Sequence, residues 1–136
     1  MKKEIDWAKL EQTKILIVDD SEPMRELVFC LLQELGCKCI EKADGGPSGL
    51  EQLQTNEFKM AFLDIDMPEM NGIEVLKTVK KENPKTYIIM LSGHSSTQNV
   101  KEAITNGANG FIVKPCSIQK IKESMENFAR FSGLTL

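Results

Sequence analysis

Apolar residues occur along this chain in two alternating kinds of run, short continuous ones and longer periodic ones. Lys14–Val18, reading KILIV, is short and β-branched, as suits a strand buried on both faces, and it stops at Asp19-Asp20-Ser21. After Pro23, the residues Met24, Leu27, Val28, Leu31, Leu32 and Leu35 recur in steps of three and one. That spacing sets them on one stripe of a helix, which Gly36 ends. Residues 37–41 form a weaker strand. Gly45-Gly46-Pro47 then marks a turn, with proline in the first turn of a short helix through Gln54. Residues 60–63 make a third strand ending at Asp64, and Pro68 and Gly72 keep the next segment a loop. Ile73, Leu76 and Val79 define the helix that follows and closes near Asn83-Pro84. Residues 87–91 form the fourth strand. Beyond Ser92-Gly93-His94-Ser95-Ser96 lies a less apolar helix marked by Val100, Ala103 and Ile104, ending at Gly107. Residues 111–113 are the fifth strand, and Ser117 caps a last helix whose Ile118, Ile121, Met125 and Phe128 face inward, with Gly133 as its stop.

Five strands alternating with five helices over short connections predict a doubly wound α/β fold. Parallel neighbours need crossovers, so the helices cover both faces of one parallel sheet in three layers. Residues 1–12 carry Ile5, Trp7 and Leu10 and fit either a short extra amphipathic helix or a frayed leader. The domain is expected over 13–132, with 133–136 as a tail. The charges of 77–81 read as a wet helix face, and Met67 and Met70 as loop anchors.

The strong strands share a second property: each ends on a residue with chemistry to offer. Asp19-Asp20 follows KILIV, Asp64 follows MAFL, Ser92 follows YIIML, and Lys114-Pro115 follows GFIV. Parallel strands present their C-terminal ends on one edge, so these residues converge. Taken singly, an Asp-Asp pair after a strand is an ordinary turn or helix cap; the joint pattern is what coincidence does not explain. Three carboxylates gathered at about 4 Å cost on the order of 1 to 4 kcal/mol for each like-charged pair, so a cation is required among them. All-oxygen ligands with room for water suit Mg²⁺ better than zinc or copper, and Mn²⁺ can substitute. Lys114 adds a mobile point charge able to pair with a carboxylate and then with a phosphoryl oxygen. In that setting one carboxylate can attack phosphorus and become an acyl phosphate. Asp64, on the central third strand, is the best acceptor. Ser92 can donate a hydrogen bond to the phosphoryl group, and the Gly93 amide can approach it closely.

Composition narrows the classes that remain. At 136 residues the chain is one domain of ordinary size. Its formal net charge of −3, with no basic run, lacks the footprint of a nucleic-acid binder. No stretch reads as a membrane span or a signal peptide, so a cytoplasmic protein is expected. The cysteines at 30, 37, 39 and 116 have neither zinc-site spacing nor disulfide-scaffold density, and are expected to be reduced thiols.

The segments DD at 19–20, DIDMPEMNG at 64–72, LSG at 91–93 and FIVKP at 111–115 resemble the receiver domain of two-component response regulators, the CheY-like family, over residues 14 to about 131. That resemblance implies the flavodoxin-like strand order 2-1-3-4-5. It makes Asp64 the phosphoacceptor, with Asp19, Asp20, Asp64 and the Asp66 backbone carbonyl holding Mg²⁺. Ser92 and Lys114 become the switch hydroxyl and the charge partner, and Phe111 the aromatic that turns inward on activation. Without the resemblance Phe111 is an ordinary strand-edge aromatic. A cis Lys114-Pro115 bond is implied as well. Asp66 and His94 flank the path of a hydrolytic water and would tune phosphoryl lifetime; the bland alternative for His94 is a solvated loop imidazole. Ser92, Gly93 and Cys116 stand where threonine, alanine and phenylalanine are commoner, and none of these departures removes a required group.

The implied partners are a sensor histidine kinase or histidine phosphotransfer protein and an unnamed downstream protein, with no direct nucleic-acid or membrane contact. The last helix lacks an arginine-rich self-pairing pattern, which favours a monomer, with a phosphorylation-dependent dimer as the alternative. Such a protein is a signalling acceptor, not a turnover enzyme. Asp64-x-Asp66 also resembles the nucleophile motif of haloacid-dehalogenase phosphatases, but there the companion acids follow the nucleophile, whereas Asp19-Asp20 precede it. The remaining alternative is a phosphate-independent binding module of the same fold.

Overall fold

A computed structural model of the chain describes residues 3–93 and 97–136. The elements run α1 (Trp7–Leu10), β1 (Lys14–Val18), α2 (Glu22–Glu34), β2 (Cys39–Ala43), α3 (Gly46–Thr55), β3 (Met60–Asp64), α4 (Gly72–Glu82), β4 (Tyr87–Ser92), α5 (Thr97–Thr105), β5 (Gly110–Val113) and α6 (Ile118–Phe131). All strand pairs are parallel, in the order β2-β1-β3-β4-β5, as the resemblance implied.

The central strands are apolar throughout because the sheet is covered on both sides. Ile15 and Ile17 of β1, Met60 and Phe62 of β3, and Ile89 and Leu91 of β4 point into one core, shared with Val28 and Leu32 of α2 and Ile121, Met125 and Phe128 of α6. Their neighbours Leu16, Val18, Ala61, Leu63, Ile88 and Met90 point into the other, against Val75, Leu76 and Val79 of α4 and Ala103 of α5. The strand period of two thus divides one run between two cores. Short polar caps start the helices: Ser21 accepts from the Met24 amide, Asn71 from Glu74 and Ser117 from Lys120.

Residues 3–12 are built into this body. Asp6 caps α1, Leu10 is fully buried, and Ile5 forms an antiparallel bridge with Thr135. The Asp6 amide donates to Leu134 O at 2.9 Å and the Leu136 amide to Glu4 O at 2.8 Å, so the two terminal segments are laced together. The short extra helix makes a sixth among the described residues.

Three expectations need correction. The second strand starts at Cys39 instead of 37, since Gly36 turns left-handed at φ 96° and the Cys37 amide still closes the helix by bonding Leu32 O at 3.0 Å. Pairing begins only with Lys14 opposite Cys39. Ile118 is 38% exposed, unlike Ile121, Met125 and Phe128, because it opens the helix beside its cap and clears the sheet. Lys80 does not belong to a wet face: its ammonium donates to Thr86 O at 2.6 Å and Asn109 Oδ1 at 2.7 Å, tying α4 to the approaches of β4 and β5. All four cysteines are free thiols, and burial pushes the Cys37 thiol up to about 11, which leaves it inert. Met67 is buried and Met70 packs beside it in the second core. Among the described residues no helix is long and apolar enough to cross a membrane.

Candidate functional site

Three strand ends meet on the C-terminal edge of the sheet, and the residues there are buried ones that a folding argument alone would keep apolar. Asp19 follows β1 at 1% exposure, Asp64 ends β3 at 2%, and Ser92 ends β4 fully buried. Carboxylate oxygens of Asp19, Asp20 and Asp64 all lie within 4.8 Å of one another, with Asp20 on the solvent side. Lys114, just beyond β5, reaches across them. Its Nζ stands 3.0 Å from Asp19 Oδ2 and 3.0 Å from Asp64 Oδ1, so one ammonium clamps two buried carboxylates.

The backbone holds each of these groups in place. Lys114 is anchored by its own amide, which donates to Ser92 O at 2.7 Å, and its bond to Pro115 is cis. Asp19 is fixed from two sides: the Ser21 amide donates to its Oδ1 at 2.9 Å, while Arg25 Nη1 donates to its carbonyl at 2.7 Å. Arg25 has no place in the sequence reading above. Its only signal is a separation of six residues from Asp19, which lets the first helical turns of α2 fold it back over the loop. Below Asp64, Gly72 opens α4 against the strand end, where a Cβ would collide with the Asp64 carbonyl, and its amide donates to Ile65 O at 3.0 Å. A side chain at that position would push the loop after β3 off the sheet.

Burial pushes the Asp64 carboxyl up to about 6, the Lys114 hydrogen bond pulls it back, and the Asp19 and Asp20 charges raise it again. Burial would lower the Lys114 ammonium, but its bonds to Asp64 and Asp19 outweigh this and the net shift is upward. Three carboxyl groups thus gather around the Lys114 ammonium, those of Asp19 and Asp64 buried and that of Asp20 at the solvent edge. An all-oxygen set of this kind fits a hard divalent cation with Mg²⁺-like preferences.

Asp19, Asp20, Asp64, Ser92 and Lys114 therefore share one edge. Asp66 is exposed in the loop after β3 and is not among the three grouped carboxylates. Phe111 is half-buried, pairs with Met90 along the sheet, and leans on the core shared with α4 and α5. His94 lies outside the described residues.

Residues 15–126 match the model of the response regulator receiver domain. The chemotaxis protein CheY of Pseudomonas aeruginosa is 35% identical over 123 residues, covering 88% of this chain and 99% of that one. CheY-3 of Vibrio cholerae is 35% identical over 115 residues, 83% of this chain and 88% of that one. Among solved structures, Vibrio cholerae CheY4 superposes with a TM-score of 0.79 at 31% identity, covering 86% of this chain and 98% of the other. A Borrelia burgdorferi complex of CheX, CheY, BeF₃ and Mg²⁺ matches with a TM-score of 0.78 at 29% identity, over 82% of this chain and 85% of that one.

Proposed function

Since the chain belongs to the response regulator receiver-domain family, we propose that it is a phosphorylation-controlled signalling switch whose acceptor is Asp64. The observation that carries this reading is the clamp itself: a buried central carboxylate with a raised pKa, bonded to Lys114 and flanked by Asp19 and Asp20. The donor is a phosphohistidine on a sensor kinase or phosphotransfer protein. An Asp64 carboxylate oxygen attacks phosphorus as the P–N bond breaks; the electron pair leaves with the imidazole nitrogen, which takes up a proton, and Asp64 becomes an acyl phosphate.

Mg²⁺ bound by Asp19, Asp20, Asp64 and the Asp66 backbone carbonyl would offset charge on the transferring oxygens. Lys114 swings its ammonium from the two carboxylates toward a phosphoryl oxygen, and so exchanges carboxylate partners for a phosphoryl one. The Ser92 hydroxyl donates to a second phosphoryl oxygen, which draws the end of β4 toward Asp64. Phe111 then completes its burial, and the surface formed by α5, β5 and α6 changes its preference for a downstream protein. Asp66 and His94 set how long the acyl phosphate survives water. The output is altered binding in the cytoplasm, not turnover of a substrate.

Intact mass after incubation with acetyl phosphate and Mg²⁺ tests the reading. Wild type should gain one phosphoryl group and Asp64→Asn none. A wild-type protein, folded by circular dichroism, that gains no mass would favour a binding module that does not use phosphate.

A further inference from the structure

A groove at the opposite edge of the sheet, by the strand N-termini, has no part in phosphoryl chemistry. It encloses about 620 Å³, walled by Phe128, Phe131 and Leu134 and rimmed by Lys9, Lys59 and Lys85. Phe131 lies tilted beside Tyr87 with ring centroids 5.1 Å apart, yet remains 60% exposed. A large aromatic left this open contributes little to folding, and the lysine stems do not cover it.

The charge is equally uncompensated. Among the described residues no acidic side chain lines the groove and none of the three lysines is in an ion pair. In a chain of formal net charge −3, this rim inverts the prevailing sign. The Lys59 backbone is fixed on both sides, its amide donating to Lys14 O and its carbonyl accepting from the Tyr87 amide, each at 3.0 Å, while Lys9 rides on α1 beside the laced termini.

We propose that this groove docks an acidic segment of a partner protein, with one aromatic or aliphatic side chain resting on Phe131 and Leu134 and flanking carboxylates meeting Lys9, Lys59 and Lys85. An apolar floor with a rim of one charge sign is the form of a peptide-anchoring interface, in which the floor supplies affinity and the rim supplies specificity and on-rate. Three lysines fall short of the cluster of about four to eight that retains a protein on an anionic membrane. The docking surface and the acidic site occupy opposite ends of the strands, so docking uses none of the acidic-site residues and does not rest on the proposed switch.

Fluorescence anisotropy with the full chain tests this, using labelled peptides that carry phenylalanine or leucine flanked by Glu and Asp, by Gln and Asn, or by Lys. Only the acidic members should saturate, with or without Mg²⁺ and acetyl phosphate. Lys59→Glu combined with Lys85→Glu should weaken binding about tenfold or more, and Phe131→Ser several-fold, while both variants stay folded by circular dichroism and still take up phosphoryl groups. Amide shifts on peptide addition should cluster at Lys59, Lys85 and Phe131. Equal binding of the neutral peptides, affinity that survives charge reversal, no saturable binding, or shifts confined to another face would overturn the proposal. So would saturable binding of ATP or of anionic vesicles that acidic peptides cannot displace.

Discussion

The two ends of the sheet share the same strands and are closed by opposite means. At the C-terminal end Asp19, Asp64 and Ser92 are buried with Lys114 across them. At the N-terminal end the closure is apolar, with Ile5, Leu10 and Phe58 buried, while Lys9, Lys59 and Lys85 stay at the surface. Burying a carboxylate disfavours folding unless a cation accompanies it, whereas burying leucine favours folding outright. Lys114 offsets only part of that cost, since burial still holds the Asp64 carboxyl up to about 6, and the apolar end makes up part of the rest.

The sharpest way to break this contrast is to empty the apolar end. Leu10→Ala should lower the unfolding free energy by about 2 to 5 kcal/mol, since a fully buried leucine is lost from between packed elements. Phosphoryl uptake by the folded fraction should persist, because the groups proposed to accept it sit at the far edge. Urea titration and intact mass give the two readouts. A loss under about 1 kcal/mol would return residues 3–12 to the status of a frayed leader.

The charged end should respond with the opposite sign. Without metal, the folded protein holds the Asp64 proton up to about pH 6, whereas the unfolded chain releases it near about pH 4. Between those values the native state binds more protons, so this contribution to stability is fully present below about pH 4 and is lost as pH rises through about 6. Asp64→Asn should remove that slope and exceed wild type at pH 7, by at most about 3 kcal/mol on the full span of the shift. Added Mg²⁺ should narrow the gap, because the proposed site would hold it on the folded carboxylate form. Parallel stability–pH profiles for the two proteins would refute the burial argument.

How readily each end could be read from the chain follows from the same contrast. The acidic site was legible because β1, β3 and β4 are buried on both faces, so their apolar runs are unbroken and the polar residue at each end stands out. The edge strand β2 was misplaced because it is half-exposed and carries Glu41 and Lys42 in its middle, which blurs any apolar run. Lys80 looked solvated for another reason. Its partner Asn109 is 29 residues away, and nothing in a row of helix lysines distinguishes the one that turns inward. The extent of the terminal lacing was equally hidden, since Ile5 and Thr135 lie at opposite ends of the chain.

Arg25 offers the finest test, because it touches the acidic end only through backbone. Its Nη1 braces the Asp19 carbonyl at 2.7 Å while the Ser21 amide steadies the Asp19 carboxylate at 2.9 Å, so the loop is gripped from both directions. Arg25→Met keeps much of the stem and removes the donor. The loss of one partly buried hydrogen bond should cost about 1 kcal/mol of stability. If the brace also aims the carboxylate, Mg²⁺ affinity by calorimetry should fall about tenfold, the low end for groups that orient metal ligands, and Arg25→Lys should recover part of it. An unchanged Mg²⁺ affinity beside the small stability loss would mean that Arg25 merely fastens α2 to the loop. The Ser21 amide and Lys114 would then suffice to aim Asp19, and the charged end would depend on fewer groups than its geometry suggests.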